Sequence, residues 1–283
     1  MQRVPAPSVG GRRKNILVVG GGPAGVAAAV AAARAGFRVV LAEASNCLGG
    51  QLAVAGFTML RRGRLKGWLA EACQELRAGA VEVRLNTPVR VNGIGAYDHV
   101  VIATGAALRP WPLMPSGRMV VLDAWTAIMR PSPLPAGVVV LDLEGEWSAV
   151  DAAMTLATHG HAVTMVTAAA AVAHRLSGSE QELYHERLLE KGVRILTGSA
   201  VKFIPRCEGP ILHNTVTGNE FPLPSYIGAF VVASPRASRV RLWAEAHASH
   251  CVTRIGDAVF PRTLDEAIAE GEHAAELISN MSA

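Results

Sequence analysis

Three glycines set the chemistry near the start of the chain. Gly20, Gly22 and Gly25 stand in the order GxGxxG, with Pro23 and Ala24 between the last two, and Glu43 follows 23 residues after Gly20. Glycines at these spacings let a strand turn sharply into a helix, let the backbone approach a pyrophosphate, and let the helix lie close on the strand. The helix N-terminus then presents free N–H groups and a positive dipole end to phosphate. An acid placed like Glu43 accepts hydrogen bonds from an adenosine ribose. The elements that must position these groups are legible on either side. Asn15–Val19 reads as a buried strand, Val26–Arg34 as an Ala-rich helix ended by Gly36, and Phe37–Ala42 as a second strand closing on Glu43. The loop predicts binding of a dinucleotide or of an ADP moiety.

Three further stretches accompany it. A glycine pair followed by glutamine, Gly49-Gly50-Gln51, comes soon after the acid. Tyr97–Ala106 reads as a buried strand ending in Ala103-Thr104-Gly105. Cys251–Ala258 leads through Ile255-Gly256-Asp257 and Pro261-Arg262 into a helix expected over Leu264–Ile278. The run from Ile255 to Gly271 reads IGDAxxPRxxxEAIxxG and is the most specific of the three.

On these residues the chain, from Arg13 onward, resembles the flavoproteins with two dinucleotide-binding domains, the family of glutathione and thioredoxin reductases. It is most similar to the C-terminal FAD/NAD-like half of the trimethylamine dehydrogenase and 2,4-dienoyl-CoA reductase type. The resemblance implies an α/β fold of two Rossmann-like three-layer domains. A discontinuous FAD (or ADP) domain, residues 1–112 plus 234–283, would carry an NAD(P)-like domain, residues 113–233, inserted within it. It also implies that Gly20, Gly22 and Gly25 hold the pyrophosphate, Glu43 the adenosine ribose, and Gly50 and Gln51 the ribityl side. Thr104 and Gly105 would close over the cofactor and Asp257 would anchor the flavin end. Pro23, Ala24, Ala44, Val89, Ala103, Gly256 and Thr263 complete the expected cofactor contacts. The helix after Asp257 would aim its N-terminus at the flavin ring.

A second βαβ unit is legible but altered. Gly137–Leu141 supplies a strand, Ala149–His159 a helix and Gly160–Val166 the next strand, while the turn reads Asp142-Leu-Glu144-Gly-Glu146-Trp147. Aligned strand to strand with the first unit, Asp142, Glu144 and Trp147 replace the three glycines. Pyrophosphate brings about two negative charges to a site whose field should be positive, and Trp147 adds bulk where helix and strand need to touch. The next strand ends at Thr167 without an acid for an NAD ribose or an arginine for a 2′-phosphate. The expectation is a retained fold with no tight NAD(P) binding, which favours the trimethylamine-dehydrogenase type. Val193–Leu196 and Val201–Ile204 read as strands, Asn214–Phe221 as a hairpin, and Phe230–Arg236 as the return to the first domain.

Composition excludes several other classes. Half of the 283 residues are apolar and 18% are charged, enough to bury a sizeable core and too apolar for a disordered chain. The longest apolar run, Val26–Ala33, falls far short of the roughly 20 residues that span a bilayer. No secretory leader opens the sequence, so a cytoplasmic protein without a membrane anchor is expected. Net charge is +4, with basic residues gathered at Arg12-Arg13-Lys14 and at Arg61, Arg62, Arg64 and Lys66. Aromatics are only 5%, which argues for solvated surface or protein docking over nucleic acid. Cys47, Cys73, Cys207 and Cys251 lie at least 26 positions apart, so there is no CxxC redox pair, zinc knuckle or cluster set, and all four are expected as isolated small core residues. No histidine pattern suggests a metal.

Met1 precedes the first strand by only fourteen residues, so no TIM barrel is expected on this chain. Three readings stay open. One is a FAD-binding, electron-relaying subunit of a multisubunit dehydrogenase, whose TIM-barrel FMN/iron–sulfur partner oxidises the substrate in a hetero-oligomer. The second is a stand-alone NAD(P)H-dependent flavin reductase. The third is a non-catalytic scaffold holding ADP. None requires a catalytic acid, base or nucleophile from this chain.

Overall fold

The computed structural model describes residues 13–55, 62–111, 119–131, 133–135, 137–202 and 210–280. Residues 1–12, Arg61, Cys207 and the end of the strand expected over Val201–Ile204 lie outside these residues. The chain divides into two units: one runs up to Ala107 and resumes at Ala237, and the other is Leu108–Arg236.

In the first unit β1 (Asn15–Val19), α1 (Pro23–Arg34), β2 (Arg38–Ala42), α2 (Gln51–Ala55), α3 (Arg62–Ala78), β3 (Glu82–Arg84) and β4 (His99–Ile102) follow in order, and β5 (Ala106–Leu108) runs across the boundary at Leu108. The second unit contains β6 (Val120–Asp123), α4 (Ala124–Met129), β7 (Gly137–Asp142), α5 (Trp147–Thr158), β8 (Ala162–Thr167), α6 (Gly178–Glu190), β9 (Arg194–Leu196), β10 (Ser199–Lys202), β11 (Ile211–Asn214), β12 (Glu220–Pro222) and β13 (Ile227–Ala233). Then β14 (Arg236–Ser238), α7 (Arg241–Ala246), β15 (Val252–Arg254) and α8 (Leu264–Asn280) follow.

Each unit carries a five-stranded parallel sheet, ordered β3-β2-β1-β4-β15 in the first and β9-β8-β7-β13-β6 in the second. This is a doubly wound Rossmann-like order in both cases. Its direction of winding reverses beside β1 and again beside β7, and ligands of such sheets bind at the C-terminal ends of the strands at that switch point. The second unit adds the antiparallel sheet β10-β11-β12, with the expected turn between Asn214 and Glu220.

The core follows from strand alternation. Ile16, Val18, Val39, Leu41 and Val101 face α1, α3 and α8, while Leu17, Val19, Val40, Val100 and Ile102 build a second cluster on the opposite face. Helix α1 starts at Pro23, three residues before the sequence expectation. Proline is accommodated in the first turn because its missing N–H would have no intrahelical acceptor there. The helix ends in a Schellman arrangement: the Gly36 N–H (φ +89°) donates to Ala33 O and the Phe37 N–H to Ala32 O. Helix α5 likewise begins early, at Trp147, and α8 runs on to Asn280.

The cysteine expectation is corrected. Cys47 and Cys251 are exposed and Cys73 is half-buried, because the first two lie in loops at strand ends and the third on the rim of an amphipathic helix. Among the described residues no helix is long and apolar enough to cross a membrane, and no group of three or more His, Cys, Asp or Glu side chains could hold a metal ion.

Candidate functional site

The loop between β1 and α1 is built by glycines with different duties. Gly20 has φ +107°, and a Cβ there would strike the Ala103 carbonyl; a Cβ at Gly25 would fall on the carbonyl oxygen of Gly20. These two let strand and helix touch. A Cβ at Gly22 would meet nothing within 4 Å. Gly22 is the N-cap of α1, extended at φ −75° and ψ 179°, with no side-chain cap. The first-turn N–H groups of Ala24 and Gly25 therefore have no acceptor within the helix. Open space in front of uncapped amides is the geometry an anionic phosphate requires.

Glu43 closes on this loop. Its Oε2 accepts the Gly21 N–H at 2.6 Å and its Oε1 accepts the Ser45 N–H at 2.7 Å. The following segment folds back, with the Gly49 N–H donating to Gly21 O at 2.8 Å. Gly50, at φ +52°, comes so near that a Cβ on it would lie 3.1 Å from Gly22 Cα. Gln51 opens α2 and donates from Nε2 to Asp257 Oδ2 at 2.8 Å, joining residues 206 positions apart. The Arg262 N–H donates to Asp257 Oδ1 at 3.0 Å. Gly256 has φ +61° and lies against Ala24, while its N–H donates to Glu270 Oε2 at 2.7 Å. The Arg262 guanidinium pairs with the other oxygen of Glu270.

The structure thus gathers Gly20, Gly22, Pro23, Ala24, Gly25, Glu43, Ala44, Gly50, Gln51, Ala103, Gly256 and Asp257 around the C-terminal ends of β1, β2 and β4. Thr104 and Gly105 adjoin this group but are tied elsewhere: Thr104 Oγ1 donates to Arg239 O at 2.9 Å, and Gly105 O accepts the Arg239 N–H. Val89 packs with the cluster on the sheet face away from α1. Thr263 forms a capping box with Glu266, whose carboxylate accepts both the Thr263 N–H and hydroxyl while Thr263 Oγ1 accepts the Glu266 N–H. Hydrogen bonding to Thr263 holds the Glu266 carboxyl below its ordinary range. With Asp265 beside it, the first turn of α8 carries two acids that offset its dipole end.

Sequence reasoning missed Glu270, Ser45 and the Gly21 amide. The Glu270-Gly271 pair at the end of the IGDA run was the available signal: Gly271 lies against α1, and its neighbour reaches back to Gly256.

The corresponding turn of the second unit is closed. Asp142 and Glu144 are 3% and 5% exposed, so both carboxyls are buried rather than solvated. Asp142 Oδ1 accepts the Gly145 N–H at 2.7 Å. Glu144 Oε1 accepts from Ser148 N at 3.2 Å and from the Ser148 hydroxyl. Glu146 accepts from the Arg236 guanidinium at 2.7 Å, with Arg175 at 3.7 Å. Burial raises the Asp142 carboxyl and pushes Glu144 up to about 7; the Ser148 hydrogen bond opposes this shift, and the neighbouring Glu146 charge adds to it.

The native state therefore keeps a proton on Glu144 that the unfolded chain releases near pH 4.5. Stability from this group is fully present below that pH and is lost as pH rises to about 7, a span worth about 3 kcal/mol. Glu144→Gln should abolish that slope. In denaturant melts at pH 5 and pH 8 the variant is expected to gain about 3 kcal/mol on the wild type at the higher pH; parallel curves would contradict the assignment.

N,N-dimethylglycine/sarcosine dehydrogenase of Chromohalobacter salexigens is 32% identical over 225 residues, 75% of this chain and 32% of that protein. The chain spans less than a third of the length of such curated relatives. Histamine dehydrogenase from Rhizobium sp. 4-9 superposes with a TM-score of 0.81 at 26% identity, over 95% of this chain and 44% of that one. Thioredoxin reductase of T. acidophilum, at 16% identity and a TM-score of 0.70, covers 96% of this chain and 100% of its own, a likeness of fold alone. A family model described as pyridine nucleotide-disulphide oxidoreductase matches residues 14–224, taking in the glycine loop, Glu43 and the whole second-unit turn, and by that match the chain belongs to this family of flavin-dependent oxidoreductases.

Proposed function

We propose that the first unit holds FAD and that the chain relays electrons within a larger dehydrogenase, without using a pyridine nucleotide of its own. The observation carrying this reading is the contrast between the two turns: an uncapped, open Gly22 in one and inward-folded carboxyls in the other. The residues fit the cofactor. The α1 amides would take the pyrophosphate, Glu43 the adenosine ribose, and Gln51 with Asp257 the ribityl side. FAD when bound supplies the two-electron chemistry, and the chain's side chains bind, orient and exclude water. The FAD domain is discontinuous, carrying the NAD(P)-like domain as an insertion.

Substrate oxidation belongs to a partner in this reading. The proposed assembly is a cytoplasmic hetero-oligomer with a TIM-barrel subunit carrying FMN and an iron–sulfur cluster; the dehydrogenases this chain is similar to are more than twice its length. A second reading has one observation in its favour: both Asp257 oxygens already accept hydrogen bonds from within the chain, as a site holding only ADP would allow.

Releasing the bound nucleotide by denaturation and identifying it by absorbance and chromatography tests the proposal. Stoichiometric FAD supports the relay, and ADP without flavin supports a scaffold. Rapid flavin bleaching by NADH or NADPH would overturn both in favour of a reductase. Asp257→Ala is expected to lower flavin occupancy about 10-fold or more, the effect of losing a charged hydrogen-bond acceptor, with a smaller change in adenosine nucleotide affinity. Equal losses, read by absorbance and ADP titration, would remove Asp257 from the flavin end.

A further inference from the structure

We infer that the Glu144 carboxyl occupies the hydrogen-bonding position at the head of α5 that a nucleotide phosphate would need, and that this side chain is what excludes pyridine nucleotides from the second unit. The inference rests on the reading that this unit takes none, and it names the residue responsible.

Both units present the same strand order, and in both a helix starts directly behind the central strand. At α1 the N-cap is a bare glycine facing open space. At α5 the second helical residue is Ser148, whose N–H has no acceptor within the helix and is the kind of donor that binds phosphate. Here it is taken by Glu144, whose carboxyl also accepts the Ser148 hydroxyl. A tethered acceptor competes at an effective concentration of about millimolar or more, before any charge repulsion is counted.

The segment after β8, where a ribose-binding acid would stand, folds over the same turn. The Arg175 N–H donates to Gly145 O at 2.9 Å, and the His174 ring lies so close that a Cβ on Gly145 would be 2.5 Å from its Nδ1. Glu146 meanwhile engages Arg236 and Arg175, cations that would otherwise favour a phosphate. An incoming nucleotide would have to displace one buried carboxyl while facing two more.

The test uses the full chain with whatever nucleotide it retains. Thermal melts are recorded for the wild type and Glu144→Ala with 10 mM inorganic pyrophosphate, and the wild type is also titrated with NADH. The expected result is a wild type unmoved by either and a Glu144→Ala protein stabilised by about 3 °C more than wild type by pyrophosphate. If the alanine variant does not fold, Glu144→Ser vacates most of the same volume and keeps a polar group beside Ser148. A folded variant that ignores pyrophosphate, with the wild type silent to NADH, overturns this inference and leaves the relay reading standing. A wild type that binds NADH overturns the reading itself.

Discussion

Gly22→Val is expected to yield a soluble, folded chain that retains no cofactor. Gly22 sits at an extended φ/ψ that any residue adopts, and its Cβ position is empty, so the fold loses little, within about 1 kcal/mol. The valine methyls would instead fill the space before the Ala24 and Gly25 amides, where a pyrophosphate must approach to hydrogen-bond distance. Affinity should fall at least about 100-fold, the loss of two charge-assisted hydrogen bonds. Nucleotide released per mole of protein, beside a melting temperature within a few degrees of wild type, is the paired measurement. Cofactor at wild-type stoichiometry would show that the β1–α1 loop is not the site.

The same kind of substitution one helix away should do the opposite. Gly271 lies in α8 where it crosses α1, and a Cβ there would fall on the Ala24 carbonyl, 2.8 Å from Ala27 Cβ and 3.0 Å from Ala28 N. Two of these neighbours are backbone atoms, which cannot rotate aside. Gly271→Val forces the helices apart and opens the layer of buried alanines Ala24, Ala27 and Ala28. Overpacking costs about 1–3 kcal/mol when side chains yield, and here the upper end or more is expected. The first unit should melt about 6 °C or more below wild type, or fail to accumulate. An unchanged melting temperature would mean that α8 is not locked on α1 as described.

These two glycines also mark how far the sequence could be read. The strand, loop, helix and acid from Asn15 to Glu43 were legible because each rests on local spacing, and so was the IGDA run. Partners joined across the fold were not. Nothing near Asp257 in sequence announces Gln51, and nothing near Gly256 announces the Glu270 carboxylate. The acids Asp142 and Glu144 were legible as charges hostile to phosphate. That they turn inward, buried on Gly145 and Ser148, depends on their α5 and β8 neighbours, and Glu146 depends on Arg236, 90 residues away. Cys47 and Cys251 went astray for the same reason: a small apolar residue type says little about burial when it falls in a loop at a strand end.

The interrupted order of the first unit has a consequence for biosynthesis. Helix α1 leaves the ribosome more than two hundred residues before α8, and β4 long before its partner β15. In that interval the alanine face of α1 has no cover, and Asp257 does not yet exist to meet Gln51. Leu108–Arg236, by contrast, is contiguous and has every strand of its sheet as soon as β13 emerges. The inserted unit is thus the one able to fold on the nascent chain, while the first unit waits, with apolar surface exposed, for a contact of long sequence separation. Pulse-labelled chains stalled before Val252 should contain a protease-resistant fragment from the insert and none from α1.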